Sequence, residues 1–402
     1  MKSMDRYTLF AGVPLAVLAA AAGAGRGAAP RPAAPADTVR PPAAVAPPPA
    51  APALPPPMTL MPATLDAGAL RRAESAVRAQ VARGAFPGAA LAVGRGGRTV
   101  LERGIGRLAP GEAEVDPART VYDLASLTKV VATTTAAMLL VEDGRLELDA
   151  PVSRYLPEFR GGSKGRVTVR HLLAHTSGLP AGSGGRSLAR VVATPLQSAP
   201  GTRVVYSDVN MVVLFAAVER AAGEPLPGLL RRRVWEPLGM ASTGFSPGAG
   251  CRACAPTGRS RAFRGLVHDP IARRLGGVAG NAGLFSTAHD LGRFAAMLAG
   301  GGTLDGVRVL KPETVREFTR RQPGARTRAL GWDTRGPAFQ HTGFTGTSLW
   351  VDPERGVWTV LLTNRTYASS RRNPLPALRR VVHRWVGSAA ADGSGEYAAS
   401  RG

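Results

Sequence analysis

Between Ala28 and Pro62 alanine and proline dominate, with Pro47-Pro48-Pro49 and Pro55-Pro56-Pro57 in unbroken runs. Proline fixes φ and lacks a backbone donor, and alanine offers little side chain to bury, so this stretch favours extended polyproline geometry and builds no core. Whatever folds must therefore lie beyond it. Ahead of it, Lys2 and Arg6 precede an apolar stretch from Leu9 to about Ala22, then the small residues Ala22-Gly23-Ala24. That is the layout of a cleavable export signal; the alternative is an uncleaved membrane anchor, for which the apolar stretch falls short of the ~20 residues a span needs. No cysteine follows it to carry a lipid. The expected organisation is a signal peptide over 1–25, a linker over 26–63, a folded domain over 64–388 and a small, polar tail over 389–402. The product would be exported, periplasmic or extracellular, with no integral membrane span after cleavage.

The 402 residues carry a net charge of +23, which raises the question of a nucleic-acid partner. The basic residues are spread along the chain and only 5% of residues are aromatic, so no nucleic-acid-binding module is legible and none is expected. An exported basic surface would still attract anionic cell-wall polymers. The two cysteines, Cys251 and Cys254, form a lone C-x-x-C. Zinc would want two further ligands and a redox site a βαβ context, so a loop pair able to oxidise to a short disulfide is expected, with no metal site.

Only four of the 51 basic residues are lysine, at 2, 129, 164 and 311, which makes Lys129 informative. A guanidinium stays protonated, whereas a desolvated ammonium is able to give up its proton and act as a base. Ser126-Leu127-Thr128-Lys129 is the sole S-x-x-K, and it opens an apolar run, Leu127 to Val141, that reads as a buried helix ended by Asp143-Gly144. Side chains at i and i+3 share a helix face, so Lys129 is carried beside the Ser126 hydroxyl. The helix start also offers backbone N–H groups where charge would develop on an attacked carbonyl. Gly161-Gly162-Ser163-Lys164-Gly165 and Gly244-Phe245-Ser246-Pro247-Gly248 each fit G-x-S-x-G, but neither reads as the strand-to-helix turn that a nucleophile elbow requires.

The stretch Tyr122 to Lys129 resembles the nucleophile region of the β-lactamase-related serine hydrolases, which include class C β-lactamases, D-Ala-D-Ala carboxypeptidases and related esterases and amidases. Leu146 to Val152 and Val169 to Leu179 resemble further segments of that family in the same order. The resemblance makes His175 a structural turn residue and aligns Tyr206-Ser207-Asp208 with the family's Tyr-x-Asn. Tyr206 would then be a general acid/base or proton relay; Asp208 departs from the amide, with Asn210 close by. His341-Thr342-Gly343 matches the family's Lys-Thr-Gly strand, and the Phe344 N–H would be the second oxyanion donor. Histidine in place of lysine weakens the permanent charge that would hold a β-lactam carboxylate.

The resemblance covers about residues 66–386. It implies an α/β (α+β) fold with an antiparallel sheet flanked by helices, an all-helical lobe, and no cofactor. The sequence agrees in outline: Gly88 to Gly106 and Ala329 to Asn364 read as strands that bring the domain's ends into one sheet, and Val130 to Leu298 reads as mostly helix and loop. The segments from Cys254 to Thr257, Gly265 to Pro270 and Leu275 to Thr287 are similar to a branch linked to peptidoglycan recycling, some of whose members are N-acetylmuramyl-L-alanine amidases. In that branch His268 and Asp269 would contact substrate or hold the loop, and Asn281 stands where the branch shows histidine. The expected activity is hydrolysis of an amide or ester bond in peptidoglycan-derived peptides, of the muropeptide amidase type, through a Ser126 acyl-enzyme, with Lys129 and Tyr206 moving the proton. The alternatives are an esterase, a D-Ala-D-Ala carboxypeptidase or β-lactamase of the same family, or an inactive cell-wall-binding protein of this fold.

Overall fold

The computed structural model describes residues 64–182, 185–259, 263–368 and 373–392, all within one compact unit spanning Thr59–Gly402. The expected export signal, the linker and positions 393–402 lie outside the described residues.

Helix α1 (Ala67–Ala82) starts at Asp66, whose carboxylate accepts the Ala69 N–H at 2.6 Å, the N-cap arrangement that satisfies an otherwise orphaned donor. It leads into the hairpin β1 (Gly88–Arg95) and β2 (Arg98–Gly106) and then β3 (Tyr122–Asp123). The middle of the chain holds helices α2 (Thr135–Glu142), α3 (Val169–Leu173), α4 (Leu188–Val192), α5 (Asp208–Ala222) and α6 (Leu226–Leu230). Strand β4 (Gly244–Phe245), helix α7 (Pro270–Arg274), strand β5 (Leu284–Ser286) and helix α8 (Ala288–Ala299) follow. A small hairpin, β6 (Thr303–Leu304) and β7 (Val307–Arg308), and α9 (Pro312–Thr319) lead back to four strands. These are β8 (Asp333–Arg335), β9 (Ala338–Thr342), β10 (Ser348–Asp352) and β11 (Val357–Thr363), after which α10 (Leu375–Asp392) closes the described chain.

The main sheet is antiparallel in the order β2-β1-β11-β10-β9-β8, so strands from the two ends of the domain lie side by side, with Leu91 opposite Leu361. Every residue of β1 is buried, because both faces are covered. Ala90 and Ala92 face a core shared with the helical lobe, whereas Ala89, Leu91 and Val93 face α1 and α10, the period-two alternation of a strand. Trp358 on β11 lies across Gly94, where a Cβ would sit 2.0 Å from its ring, and its indole N–H donates to the Gly96 carbonyl at 3.1 Å.

Two expectations are corrected and one is refined. The tail does not begin at 389: α10 continues through Asp392, Ala389 and Ala390 are buried, and the Ala389 carbonyl accepts the Asp66 N–H at 3.1 Å. Small residues there read as polar tail but serve as close packing between α1 and α10. The stretch 130–298 is mostly helix and loop, as expected, and within it β4 and β5 pair with β3 in a second sheet; strands of two or three residues leave no periodic signature. The run Leu127–Val141 is not one regular helix. A 3₁₀ turn (Ala125–Leu127) gives way to π-helical geometry (Lys129–Thr134) before α2, a distortion that recurs at functional sites. Gly144 ends it at φ +68°. By length and composition Ala125–Glu142 could cross a membrane, but 83% of it is buried as the central helix of this domain.

Ser163 lies in a 3₁₀ turn (Gly162–Arg166) and Ser246 follows β4 in a loop at φ +45°, so neither occupies a strand-to-helix elbow. Cys251 and Cys254 are joined as a disulfide with Cα atoms 5.4 Å apart. Replacing Trp358 by alanine should cost about 3–5 kcal/mol, the range for deleting a buried aromatic, read as a lowered urea midpoint at unchanged slope.

Candidate active site

Ser126 stands at a backbone turn that the surrounding structure fixes from several sides. The residue before it, Ala125, has φ +46°, an unusual conformation for a side chain with a Cβ. Its N–H is held by the Asp123 carboxylate at 2.8 Å. The Thr345 and Thr347 hydroxyls donate to the carbonyls of Asp123 and Leu124 at 2.7 and 2.9 Å, and the Leu124 N–H donates to Leu284. Gly343 is what lets the end of β9 lie against this turn, since a Cβ there would meet the Leu124 carbonyl at 2.4 Å.

Lys129 is fully buried directly behind the serine. Its ammonium donates to Ser126 Oγ at 2.8 Å and to the Asn281 carbonyl at 3.0 Å, and it pairs with Asp208 Oδ1 at 2.7 Å. Three donors thus meet three acceptors. Burial pulls the lysine pKa down, but the Tyr206 phenol and the Asp208 carboxylate outweigh it, and the net shift is upward. The expectation that Lys129 acts as the deprotonated base is therefore corrected: it is an ammonium in the resting site. Tyr206 contributes most to the rise and Asp208, standing where the family has an amide, adds to it through the ion pair.

Tyr206 lies with its ring centroid 5.0 Å from the Lys129 nitrogen and 5.0 Å from the Arg328 guanidinium. It is held by His175, whose ring is 4.8 Å away. His175 sits at φ +57°, and its Nδ1 accepts the Ser207 N–H at 3.2 Å, so it shapes the loop that carries Tyr206. Burial first, then Arg328, Lys129 and His341, hold its pKa well below the usual histidine range. Asn210 does not compensate for the missing amide. It is buried, its Oδ1 accepts the Ser177 hydroxyl at 2.5 Å, and its side-chain nitrogen lies 3.2 Å from His175.

On the opposite wall, His341 is buried on β9 with both ring nitrogens lacking a hydrogen-bond partner among the described residues. Burial, Lys129 and Arg328 push its pKa far down, so this position carries no charge at neutral pH. The Phe344 side chain is 64% exposed at the mouth and stacks on His268 at 5.5 Å. The Phe344 amide makes no hydrogen bond among the described residues, and the Ser126 amide lies in the first turn of a helix, where donors lack intrahelical acceptors. Asp269 caps α7 through the Ala272 N–H at 2.8 Å and accepts the Asn281 side-chain amide at 2.9 Å, a loop-holding role.

A cavity of about 510 Å³ joins these groups, lined by Ser126, Tyr206, His341, Thr342, Gly343 and Phe344 together with Arg328, Arg365 and Arg379. None of the three arginines forms an ion pair among the described residues. Arg379 donates to the Thr347 carbonyl and Arg365 to the Phe344 carbonyl, both at 2.7 Å. Burial, then Arg365, lowers the Arg379 pKa to about 10, which leaves it cationic at neutral pH. Sequence reasoning missed these arginines, which have no distinguishing mark in an arginine-rich chain, and the Asn281 carbonyl, which has no side-chain signature.

A constellation of serine, buried lysine and tyrosine, faced by a strand ending in His-Thr-Gly, is the geometry against which known proteins are to be compared. A profile of the Beta-lactamase family matches residues 73–384. The chain belongs to that family. It is a serine hydrolase with the β-lactamase/transpeptidase-like fold, as the sequence resemblance implied. A Salmonella agona protein named "Putative D-alanyl-D-alanine carboxypeptidase" is 31% identical over 312 residues, 63% of this chain and 72% of its own length. Among solved structures, EstCE1, described as a hydrolase with promiscuous acyltransferase activity, is 26% identical with a TM-score of 0.62 over 78% of this chain and 98% of its own. A penicillin-binding protein homologue from Caulobacter crescentus shares the fold at 22% identity and TM-score 0.66, over 80% of this chain and 97% of that one.

Asp123 gives the site a pH dependence. Its two oxygens accept the Ala125 N–H at 2.8 Å and the His268 N–H at 2.7 Å, joining the nucleophile turn to the loop that stacks on Phe344. Burial raises its pKa to about 6 against the two hydrogen bonds; Asp269 adds to the rise and Arg273 opposes it. A folded value above the unfolded one contributes stability at acid pH that is lost as pH rises through about 6. Activity runs the other way, because only the ionised carboxylate offers both oxygens as acceptors. The rate should therefore rise through an acid limb near pH 6, and Asp123→Asn should lower kcat and abolish that limb; a pH profile unchanged in the variant contradicts this role.

Proposed function

We propose that this protein is an exported hydrolase of peptidoglycan-derived peptides that works through a Ser126 acyl-enzyme and removes a terminal D-alanine. The observation that carries the reading is the unpaired arginine set beside the nucleophile. With His341 neutral, Arg328, Arg365 and Arg379 supply the positive charge that a substrate's free carboxylate needs. Relatives named as D-alanyl-D-alanine carboxypeptidases support the same substrate class. The export signal read from residues 1–25 would bring the enzyme to that substrate.

In this mechanism Ser126 Oγ attacks the amide carbon while its proton passes to the Tyr206 oxygen, which takes part as a phenolate set against the Lys129 ammonium. The Lys129 ammonium stabilises the negative charge that grows on those oxygens. The Ser126 and Phe344 N–H groups receive the oxyanion. Tyr206 then returns the proton to the departing amine, and water, deprotonated along the same route, releases the acid and regenerates the serine.

A second reading is favoured by one observation. The exposed Phe344 face, backed by His268, suits the apolar side of a sugar ring, which would place muramic acid at the mouth and make the lactyl–L-alanine amide the scissile bond.

Mass spectrometry of a defined muropeptide mixture, incubated with the enzyme and with Ser126→Ala, separates the readings. Loss of terminal D-alanine with wild type alone is the expected result; release of the whole peptide from muramic acid would establish the amidase instead. Ser126→Ala should lose at least a thousandfold in kcat at an unchanged melting temperature, since one half-buried hydroxyl contributes little to folding. Normal turnover by that variant would overturn the nucleophile assignment.

A further inference from the structure

A second cavity, of about 560 Å³, adjoins the first along β9 and shares Asp333, Gln340, Thr342 and Arg379 with it. Its origin lies in how the sheet is covered. Helices α1 and α10 pack over β1, β2, β10 and β11. On β9, Phe339 and His341 turn into the buried side while Gln340 and Thr342, at intermediate burial, point to the α10 side. There the start of α10 stands off from β8 and β9, and the gap is floored by polar strand residues. Trp350 on β10 stacks on His383 of α10, rings 5.0 Å apart and 15° from parallel, forming one wall. Arg379 and Arg380 form another. Burial and Arg379 lower the His383 pKa to about 3, so the positive charge of the groove comes from the arginines, with the Asp333 carboxylate on the rim. Asp333 on the rim accepts the Thr327 hydroxyl at 2.6 Å.

We infer that this groove is an extended substrate subsite, in which Arg380 holds a carboxylate remote from the scissile bond while the chain that carries it lies along Trp350 and His383. Arg379 belongs to both cavities and marks the passage between them, so a peptide bound at Ser126 continues into the groove without a break. An apolar occupant is disfavoured by the two guanidiniums, neither of which forms an ion pair among the described residues, and a neutral one would leave that charge unused. A short ester reaches only the first cavity; an acidic peptide fills both. The inference rests on the peptide-hydrolase reading for its substrate and adds the residues that select it.

The test compares succinyl-Ala-D-Ala-D-Ala with acetyl-Ala-D-Ala-D-Ala, which differ by one remote carboxylate, in wild type and in Arg380→Ala. The succinyl peptide should show a kcat/KM roughly threefold higher in wild type, the scale of one ion pair at an exposed site, lost above about 0.3 M salt. Arg380→Ala should remove that preference while leaving the acetyl peptide and 4-nitrophenyl acetate unchanged. Equal rates for the two peptides in wild type, or a preference that survives in the variant, overturns the subsite. Should neither peptide be cleaved while 4-nitrophenyl acetate is, the peptide-hydrolase reading fails by itself. Calorimetric binding of the two peptides to Ser126→Ala then decides the subsite, with equal affinity, or no binding, counting against it.

Discussion

The site depends on one buried ammonium. Taking a charge out of water is costly unless every donor on it finds an acceptor, and Lys129 meets that condition through Ser126 Oγ, the Asn281 carbonyl and Asp208. Each acceptor comes from a different part of the chain: the turn before the central helix, the loop before β5, and the first residue of α5. The charge can be buried only when all three have assembled, so the chemistry of the lysine and the closure of the helical lobe over the sheet are one condition. Removing the Asp208 carboxylate would leave the ammonium short of an acceptor rather than merely weaken a contact.

This explains a division of labour that the residue types alone leave open. A lysine beside a serine reads as a base when it is isolated in an apolar setting and as a fixed positive charge when a carboxylate touches it. Tyr206 and Asp208 together decide between the two, Asp208 through a 2.7 Å contact that sequence spacing does not encode. The proton-carrying role then passes to Tyr206, whose loop is pinned by His175.

Much of the architecture was legible because long, strongly patterned segments leave a record. The hairpin β1–β2, the apolar run after Ser126 and the strands from 333 to 363 all carry their burial in their composition. The strand ending His341-Thr342-Gly343 was legible for a sharper reason, since a glycine is needed where a Cβ would meet the Leu124 carbonyl. Illegible features share a different character. Strands β4 and β5 are too short for a period, the π-helical segment at Lys129–Thr134 breaks a pattern that composition shows as continuous, and the end of α10 uses alanines that resemble a tail. The Asn281 carbonyl is backbone, which any residue would supply; what is specific to asparagine there is the side-chain bond to Asp269 that orients the loop.

The arginines pose the opposite problem, excess rather than absence. In a chain with 51 basic residues, composition offers no means of separating solvated charge from charge that waits for a ligand. The separation is made by pairing. Arg170, for example, is spent on Asp149 and Glu317, a contact that ties the helical lobe to the segment leading back to the sheet. Arg365 and Arg379 instead donate to main-chain carbonyls, which fix their position without neutralising them, and Arg365 further depresses the pKa of its neighbour. Like charges held close together beside a nucleophile are an unfavourable arrangement for the empty protein. An anionic substrate relieves it on binding, so the repulsion that costs stability in the free enzyme becomes selectivity in the complex. The loss of a charged lysine at the His341 position is consistent with this arrangement: the positive field has moved from the strand to the arginines around it, and with it the point at which a substrate carboxylate is read.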